Sequence, residues 1–398
     1  MDTARVMLAA AILLAVTGIA LLAARKIHAG SIVALLAAGM LLGPHTPYPV
    51  IASHIEDLQQ VGEAGVILLL FLVALDIQPA RLWEKRRAVL VLGAGQYVLA
   101  TAAVMSLVLA VTPLGWKAAL LVGLGLAMSS GAIAFGTLEE RRDGASSRGR
   151  TVLAVQVFQS IMVAPVLAFV PLLATQGDVH GSPGAIVFAI LAIAVVCVLA
   201  LFVLPTVLRV SARTPGPATF GLFVFSAVLF ASWIADRAGI SAAMGAFLLG
   251  LLLSGFEMAE RIKAVVAPAK QLLLALLFLS IGMAIDPGEV FAQRWDLLVL
   301  VPGVFVAKLA TGYIAARAGH VGRENAFMAS LVLAPLDEIA YVIFASARAA
   351  GLMDDRAYAI ALSGLSISFV LAPLAIDLGY RWLEKRGHAP SAESVDSP

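Results

Sequence analysis

The 398-residue sequence is 61% hydrophobic and only 13% charged, which excludes an ordinary soluble globule because soluble domains carry about 25% charged residues. Too little polar surface exists to face water, so lipid must solvate most of the chain. The net charge of +2 is uninformative by itself, and the single cysteine, Cys197, excludes disulfides and paired-cysteine metal or redox sites.

Apolar stretches long enough to span a bilayer follow one another along nearly the whole chain, separated by turn-forming and charged residues. We predict thirteen transmembrane spans, at residues 5–24, 30–43, 61–78, 88–112, 117–138, 151–174, 184–208, 219–236, 240–256, 268–286, 295–316, 325–347 and 357–382. The predicted fold class is an all-α polytopic membrane protein. Residues 1–386 form the transmembrane domain, and residues 387–398, rich in Ser and Pro, form a disordered tail.

Lysine and arginine residues are distributed unequally between the two sides of these spans. With the N-terminus outside, 20 of the 27 lie on the cytoplasmic side and 6 on the other, and Lys308 lies inside a span. The positive-inside rule is therefore satisfied. We expect a multi-pass protein of the cell (inner) membrane with an external N-terminus and a cytoplasmic C-terminus.

Two spans contain residues that interrupt helices. The fifth has Ser129, Ser130 and Gly131, and the twelfth has Pro335. Each interruption alone also fits tight helix packing or a simple kink. The two spans are an odd number of spans apart and so cross the bilayer in opposite directions. Paired interruptions of this kind are typical of inverted-repeat transporters with a midplane site. We pair spans two to six with spans nine to thirteen.

Ionisable residues deep in a span are costly and are therefore candidates for function. Three such residues are Lys308, midway along the eleventh span, and Asp337 and Glu338, directly after the second interruption. Hydrolytic patterns such as Ser-His-Asp or HExxH do not occur in the sequence, and all six histidines lie in loops or the tail. We expect no enzyme activity, cofactor, nucleic-acid partner or metal site beyond a transported monovalent cation.

Several segments, in this order, resemble the Kef-type potassium/proton antiporters of the second monovalent cation/proton antiporter family. They lie at residues 65–83, 129–140, 151–165, 245–255 and 278–286. The resemblance implies a homodimer that exchanges K⁺ or Na⁺ for protons by an elevator motion of a core made of spans four to six and eleven to thirteen. Many Kef proteins also carry a nucleotide-binding regulatory domain. No Gly-rich strand-to-helix turn follows Trp382, so we expect the membrane domain only, and any regulator would be a separate subunit.

One position departs from the family at its centre. Kef-type members have an aspartate after the glutamine that matches Gln159, and this chain has Ser160. A hydroxyl can coordinate a cation but cannot titrate near neutral pH. The resemblance matches Lys308 and Glu338 to a family lysine and glutamate, whereas Asp337 replaces a glycine. We expect the two interruptions to cross close to Gln159 and Ser160, where Asp337, with Glu338, would supply the missing acid. A static ion pair between Lys308 and Asp337 is the alternative.

Three functions fit these residues. The first is exchange of K⁺ or Na⁺ for protons. The second is ion or solute transport without obligatory proton coupling, which the loss of the core aspartate at Ser160 favours. The third is a non-transporting membrane subunit or sensor, against which Lys308, Glu338 and both interruptions argue.

Overall fold

The computed structural model of the protein describes residues 3–27, 31–44, 55–77, 89–140, 143–144, 146–174, 183–212, 217–239 and 241–385. These residues are helical apart from connecting turns and one isolated antiparallel bridge, between Ser129 and Leu336. The predicted disordered tail, residues 387–398, lies outside the described residues, as do the arginines and lysine of residues 78–88.

The first half of the chain contains α1 (Thr3–Ile27), α2 (Ser31–Leu42), α3 (Ile55–Asp76), α4 (Gly95–Val111), α5 (Trp116–Ala127), α6 (Gly131–Glu140) and α7 (Ser147–Ala174). The second half contains α8 (Pro183–Val198), α9 (Leu204–Ser211), α10 (Pro217–Arg237), α11 (Ala242–Leu253), α12 (Ala259–Ala284), α13 (Pro287–Ala292), α14 (Arg294–Ala318), α15 (Arg323–Leu333), α16 (Ile339–Ala349) and α17 (Asp355–Lys385). Two π-helical turns, Val89–Ala94 and Leu199–Val203, continue directly into α4 and α9.

Each predicted span falls on one of these helices or on a consecutive set. The fifth span is divided into α5 and α6, the twelfth into α15 and α16, and the seventh runs through α8, the second π turn and α9. Within the described residues, five continuous stretches are long and apolar enough to cross a bilayer, at 89–111, 190–211, 219–237, 259–283 and 294–318. The number of membrane crossings, thirteen, stays a prediction.

Some helix bounds differ from the predicted spans because hydropathy locates only the apolar part of a helix. The third span was predicted to begin at residue 61, but α3 begins at Ile55. Its first turns lie before the apolar part of the helix that the prediction located. The sixth span was predicted from residue 151, but α7 begins at Ser147 because its first turn is polar and hydropathy does not detect it.

The helices form two compact units. The first comprises residues 1–84 and 160–289, and the second comprises residues 85–159 and 290–398. In the first unit α12 packs against α2 and α3, and α3 packs against α11. Its buried core includes Phe71, Phe220, Leu249 and Ile262. In the second unit α4 packs against α5 and α14, α14 against α15, and α16 against α5, while α17 contacts α14, α15 and α16.

Small residues allow two of the helix contacts in the first unit. A Cβ added to Gly39 of α2 would lie 2.9 Å from the Cα of Gly282 in α12. A Cβ on Gly250 of α11 would lie 3.0 Å from the Cβ of Ala74 in α3. Gly39 and Gly250 thus allow close packing between helices of the first unit.

Candidate ion-binding site

The two interrupted spans cross each other in the second unit. α5 ends at Ala127 and α15 ends at Leu333, and the extended residues that follow them run antiparallel, with a bridge between Ser129 and Leu336. Ser130 N–H donates to the carbonyl oxygen of Pro335 at 3.1 Å, and Ser129 Oγ donates to the carbonyl oxygen of Leu333 at 2.6 Å. The interruptions predicted from Ser129, Ser130, Gly131 and Pro335 therefore meet in one crossing.

Both half-helices end in a tightened turn before the crossing. Met128 N–H donates to Gly125 O at 3.2 Å, and Ala334 N–H donates to Leu331 O at 3.3 Å, so each bond spans three residues instead of four. Pro335 has no N–H group to continue α15. The carbonyl groups just beyond these ends have no partner in their own helix, and the negative end of each helix dipole adds to their charge. The crossing therefore presents electron-rich oxygens in the apolar interior of the unit.

Lys308 of α14 satisfies one carbonyl from each interruption. Its side chain is 1% exposed. Its Nζ donates to the carbonyl oxygen of Met128 and, at 3.3 Å, to that of Pro335. A positive charge at the C-terminal ends of α5 and α15 is electrostatically favourable. The ammonium group thus lies where the two chain breaks bring their oxygens together.

Asp337 lies at the opposite ends of the half-helices. Its Oδ1 accepts from Ile339 N–H at 2.8 Å, at the start of α16, and its Oδ2 accepts from Gly131 N–H at 3.4 Å, at the start of α6. A carboxylate is favourable at helix N-termini, where unpaired N–H groups and the dipole are both positive. One carboxylate therefore joins the N-terminal ends of both second half-helices, as Lys308 joins the C-terminal ends of both first half-helices.

The direct ion pair considered from the sequence is not formed. In the described part of the chain, no oxygen of Asp337 lies within 4.0 Å of Lys308 Nζ. Each charge is bound to backbone groups instead, because the two pairs of helix ends provide four good partners. The residues still interact electrostatically at longer range.

Gln159 of α7 holds the first interruption through both ends of its amide. Its Oε1 accepts from Ser129 N–H at 2.8 Å, and its Nε2 donates to Ala127 O at 3.3 Å and to Gln96 Oε1 at 2.9 Å. The amide orientation follows from the backbone, because only the oxygen can accept from an N–H group and only the nitrogen can donate to a carbonyl. Because Gln159 donates from Nε2, the amide of Gln96 must turn its oxygen toward Gln159.

Gln96 of α4 was not identified from the sequence. It is 1% exposed, and its Nε2 has no hydrogen-bond partner in the described structure. The available signal was an amide side chain inside an apolar span, where such groups usually form hydrogen bonds between helices.

The remaining residues predicted for the site have fewer defined contacts. Ser160 follows Gln159 in α7 and is half-buried, and Glu338, also half-buried, precedes α16. Ser130 Oγ accepts from Ile133 N–H at 3.4 Å.

A family model described as sodium/hydrogen exchanger, transmembrane, matches residues 11–378. The chain belongs to the sodium/hydrogen exchanger family. This exchanger is thus a membrane-spanning transporter of monovalent cations and protons, and not an enzyme.

Solved structures agree on the fold of the exchanger. A structure of the sodium proton antiporter MjNhaP1 from Methanocaldococcus jannaschii at pH 8 superposes with a TM-score of 0.66 at 17% identity, covering 95% of this chain and 99% of that one. An electron-microscopy map of the same antiporter gives 0.65 at 14% identity with both chains covered completely. The predicted all-helical antiporter fold with two crossed broken helices is therefore confirmed.

Proposed function

We propose that the protein exchanges Na⁺ or K⁺ for protons at the crossing of the two interrupted helices, with Asp337 as the group that holds a proton in one state and faces the cation in the other. The observation that carries the proposal is the placement of Asp337 on the N-terminal ends of α6 and α16, in the same crossing whose carbonyl oxygens bind Lys308. Ser160 cannot provide this titration.

The position of Lys308 Nζ indicates how a cation is held. The ammonium group and an alkali cation carry the same charge, and backbone carbonyl oxygens are good ligands for alkali cations. We propose that a cation and Lys308 use the oxygens of Met128 and Pro335 alternately. When the cation leaves, Lys308 returns and balances the partial negative charge of the helix ends.

Three further residues support the site in this proposal. Gln159 fixes the shape of the first interruption through Ser129 N–H. Ser160, the next residue of α7, contributes a hydroxyl ligand to the cation. Glu338, beside Asp337, is a second acid that would share the proton.

The arrangement of the helices supports an elevator motion. The second unit contains spans four, five and eleven to thirteen and the first part of the sixth, which are the spans that the Kef resemblance assigns to the core. We propose that this unit carries the ion, that the protein is a homodimer in the inner membrane, and that residues 1–386 form the transmembrane antiporter domain, followed by a cytoplasmic tail at residues 387–398. The Kef-type resemblance favours K⁺, whereas the family description names sodium. A separate regulatory subunit is part of the same proposal.

The test is exchange in proteoliposomes, measured with Na⁺ and K⁺ at several pH values. We expect Asp337→Asn to abolish pH-dependent exchange while the protein still folds, because the amide keeps an acceptor oxygen for Ile339 N–H but cannot ionise. Ser160→Ala should have a milder effect. Ser160→Asp returns the acid to the position it has in Kef-type members and should restore proton coupling to Asp337→Asn. Wild-type rates and pH dependence in Asp337→Asn would show that Asp337 is not the proton-binding group.

A second function is transport without obligatory proton coupling. Ser160 favours it, since it removes the acid from the position at which the family resemblance places it. Cation flux that is unchanged by an imposed pH gradient, and that does not acidify or alkalise the liposome lumen, would support this alternative.

A further inference from the structure

A groove lies in the first unit, which does not contain the crossing. It is enclosed by the π-helical turn Leu199–Val203, α9 and the C-terminal end of α11, and has a volume of about 460 Å³. Its lining residues include Leu201, Phe202, Thr206, Arg209, Leu252 and Phe256. Pro205 cannot donate a backbone hydrogen bond to the preceding turn, which fits the irregular helix at this point. Wide helical turns of this kind often occur at functional sites.

One end of the groove is apolar and faces outward from the unit. Leu201 and Phe202 are 50% and 68% exposed, and Leu252 of α11 also lines the groove. Leu201 and Phe202 belong to the stretch 190–211, which is long and apolar enough to cross a bilayer. In a membrane, this end of the groove opens to the hydrocarbon of the lipid.

The other end of the groove is polar and contains the charged side chain of Arg209. Arg209 donates from Nε to Glu257 Oε1 at 2.9 Å, and its guanidinium lies 5.4 Å from the centre of the Phe256 ring. Its terminal nitrogens make no hydrogen bond to any residue that the structure describes. Thr206 lies one turn earlier and donates its hydroxyl to Phe202 O at 2.9 Å, which leaves the oxygen able to accept. Arg209 also belongs to the side that the charge distribution assigns to the cytoplasm.

We propose that this groove binds one anionic phospholipid. An acyl chain would lie along Leu201, Phe202 and Leu252, and the phosphate would accept hydrogen bonds from the two terminal nitrogens of Arg209. Arginine binds phosphate in this two-pronged geometry, and basic pockets at the cytoplasmic end of transmembrane helices bind anionic headgroups. Glu257 neutralises part of the arginine charge, which favours a singly charged phosphodiester over a multiply charged phosphate. The observations do not depend on the ion chemistry of the crossing.

The proposal can be tested by the thermal stability of the purified protein in uncharged detergent, titrated with phosphatidylglycerol, phosphatidylcholine or inorganic phosphate. We expect phosphatidylglycerol to stabilise the wild-type protein, phosphatidylcholine to do so at least about tenfold more weakly, and inorganic phosphate to have no effect. Arg209→Gln should weaken the response to phosphatidylglycerol by about tenfold or more. Arg209→Lys keeps the charge but not the paired geometry, so its response to phosphatidylglycerol should lie between those of the wild type and Arg209→Gln.

The matched control is Arg261→Gln. Arg261 also stacks on an aromatic ring of the first unit, 4.6 Å from the centre of the Phe220 ring, but does not line the groove. Its response to phosphatidylglycerol should equal that of the wild type. Leu252→Trp fills the apolar end without changing any charge and should abolish lipid binding, which tests the site even where Arg209→Gln fails to fold.

Four results would overturn the proposal. One is equal stabilisation by the two lipids, and another is equal loss of the response in the two arginine-to-glutamine variants. The third is a lipid-independent dimer that Leu252→Trp dissociates in light scattering, since the groove would then be filled by a second copy of the chain. Competition by inorganic phosphate alone would count against the lipid in the same way.

Discussion

The amide of Gln159 gives the sharpest test of how the crossing is built. Gln159→Leu keeps most of the side-chain volume but removes the acceptor of Ser129 N–H and the donor to Gln96 Oε1 and Ala127 O. Ser129 and Gln96 are each 1% exposed, so water cannot replace the lost partner. An unsatisfied buried polar group costs about 1–3 kcal/mol. Three such groups predict a loss of about 3–9 kcal/mol in the free energy of unfolding.

Gln96→Met is the graded comparison. It removes one hydrogen bond from Gln159 Nε2, which keeps Ala127 O as a partner, and it also removes the unpaired Nε2 of Gln96. Single hydrogen bonds between membrane helices contribute about 0.6 kcal/mol on average and about 1.7 kcal/mol at most. We therefore expect Gln96→Met to lose less than about 2 kcal/mol, well below the loss in Gln159→Leu.

Reversible unfolding in mixed micelles measures both free energies, and proteoliposome exchange measures the cation concentration for half-maximal rate. Gln159→Leu should raise that concentration because Ser129 N–H, and with it the first interruption, is no longer held in place by the amide. The reasoning would be refuted if the free energy of unfolding of Gln159→Leu lay within about 0.5 kcal/mol of wild type, or if Gln96→Met lost more stability than Gln159→Leu.

Three other predictions use different parts of the structure. Lys308→Met leaves the carbonyl group of Met128 without a donor, whereas that of Pro335 keeps Ser130 N–H, and should abolish exchange while costing about 1–3 kcal/mol of stability in unfolding measurements. Gly282→Ala places a methyl group against the α2 backbone and should cost about 1–3 kcal/mol, whereas Gly136→Ala, with open space around its Cβ, should be neutral or slightly stabilising in the same assay. A reporter fused after Arg386 should be active only as a cytoplasmic reporter, and an active periplasmic fusion would contradict the predicted orientation.

Much of the fold was predictable because the bilayer imposes a local rule. A chain in hydrocarbon must satisfy its backbone within its own helix, so each long apolar stretch becomes a helix whatever surrounds it. The exceptions are also visible locally: Ser129, Ser130 and Gly131 favour a break, and Pro335 removes a donor. Burying a charge in a span is costly, so Lys308 and Asp337 stood out as candidates without any knowledge of their neighbours.

Only the tertiary structure decided which groups these residues contact. The hydrogen bond from Gly131 to Asp337 joins residues 206 positions apart, and no local pattern carries that pairing. The sequence left a direct ion pair between Lys308 and Asp337 as an alternative, yet in the structure each of them binds backbone ends of the half-helices. The role of Gln96 could likewise not be predicted from the sequence, because it depends on the hydrogen bond from the facing amide of Gln159. Local sequence determines where a helix forms or breaks, whereas partners brought together by packing determine what a buried polar group does.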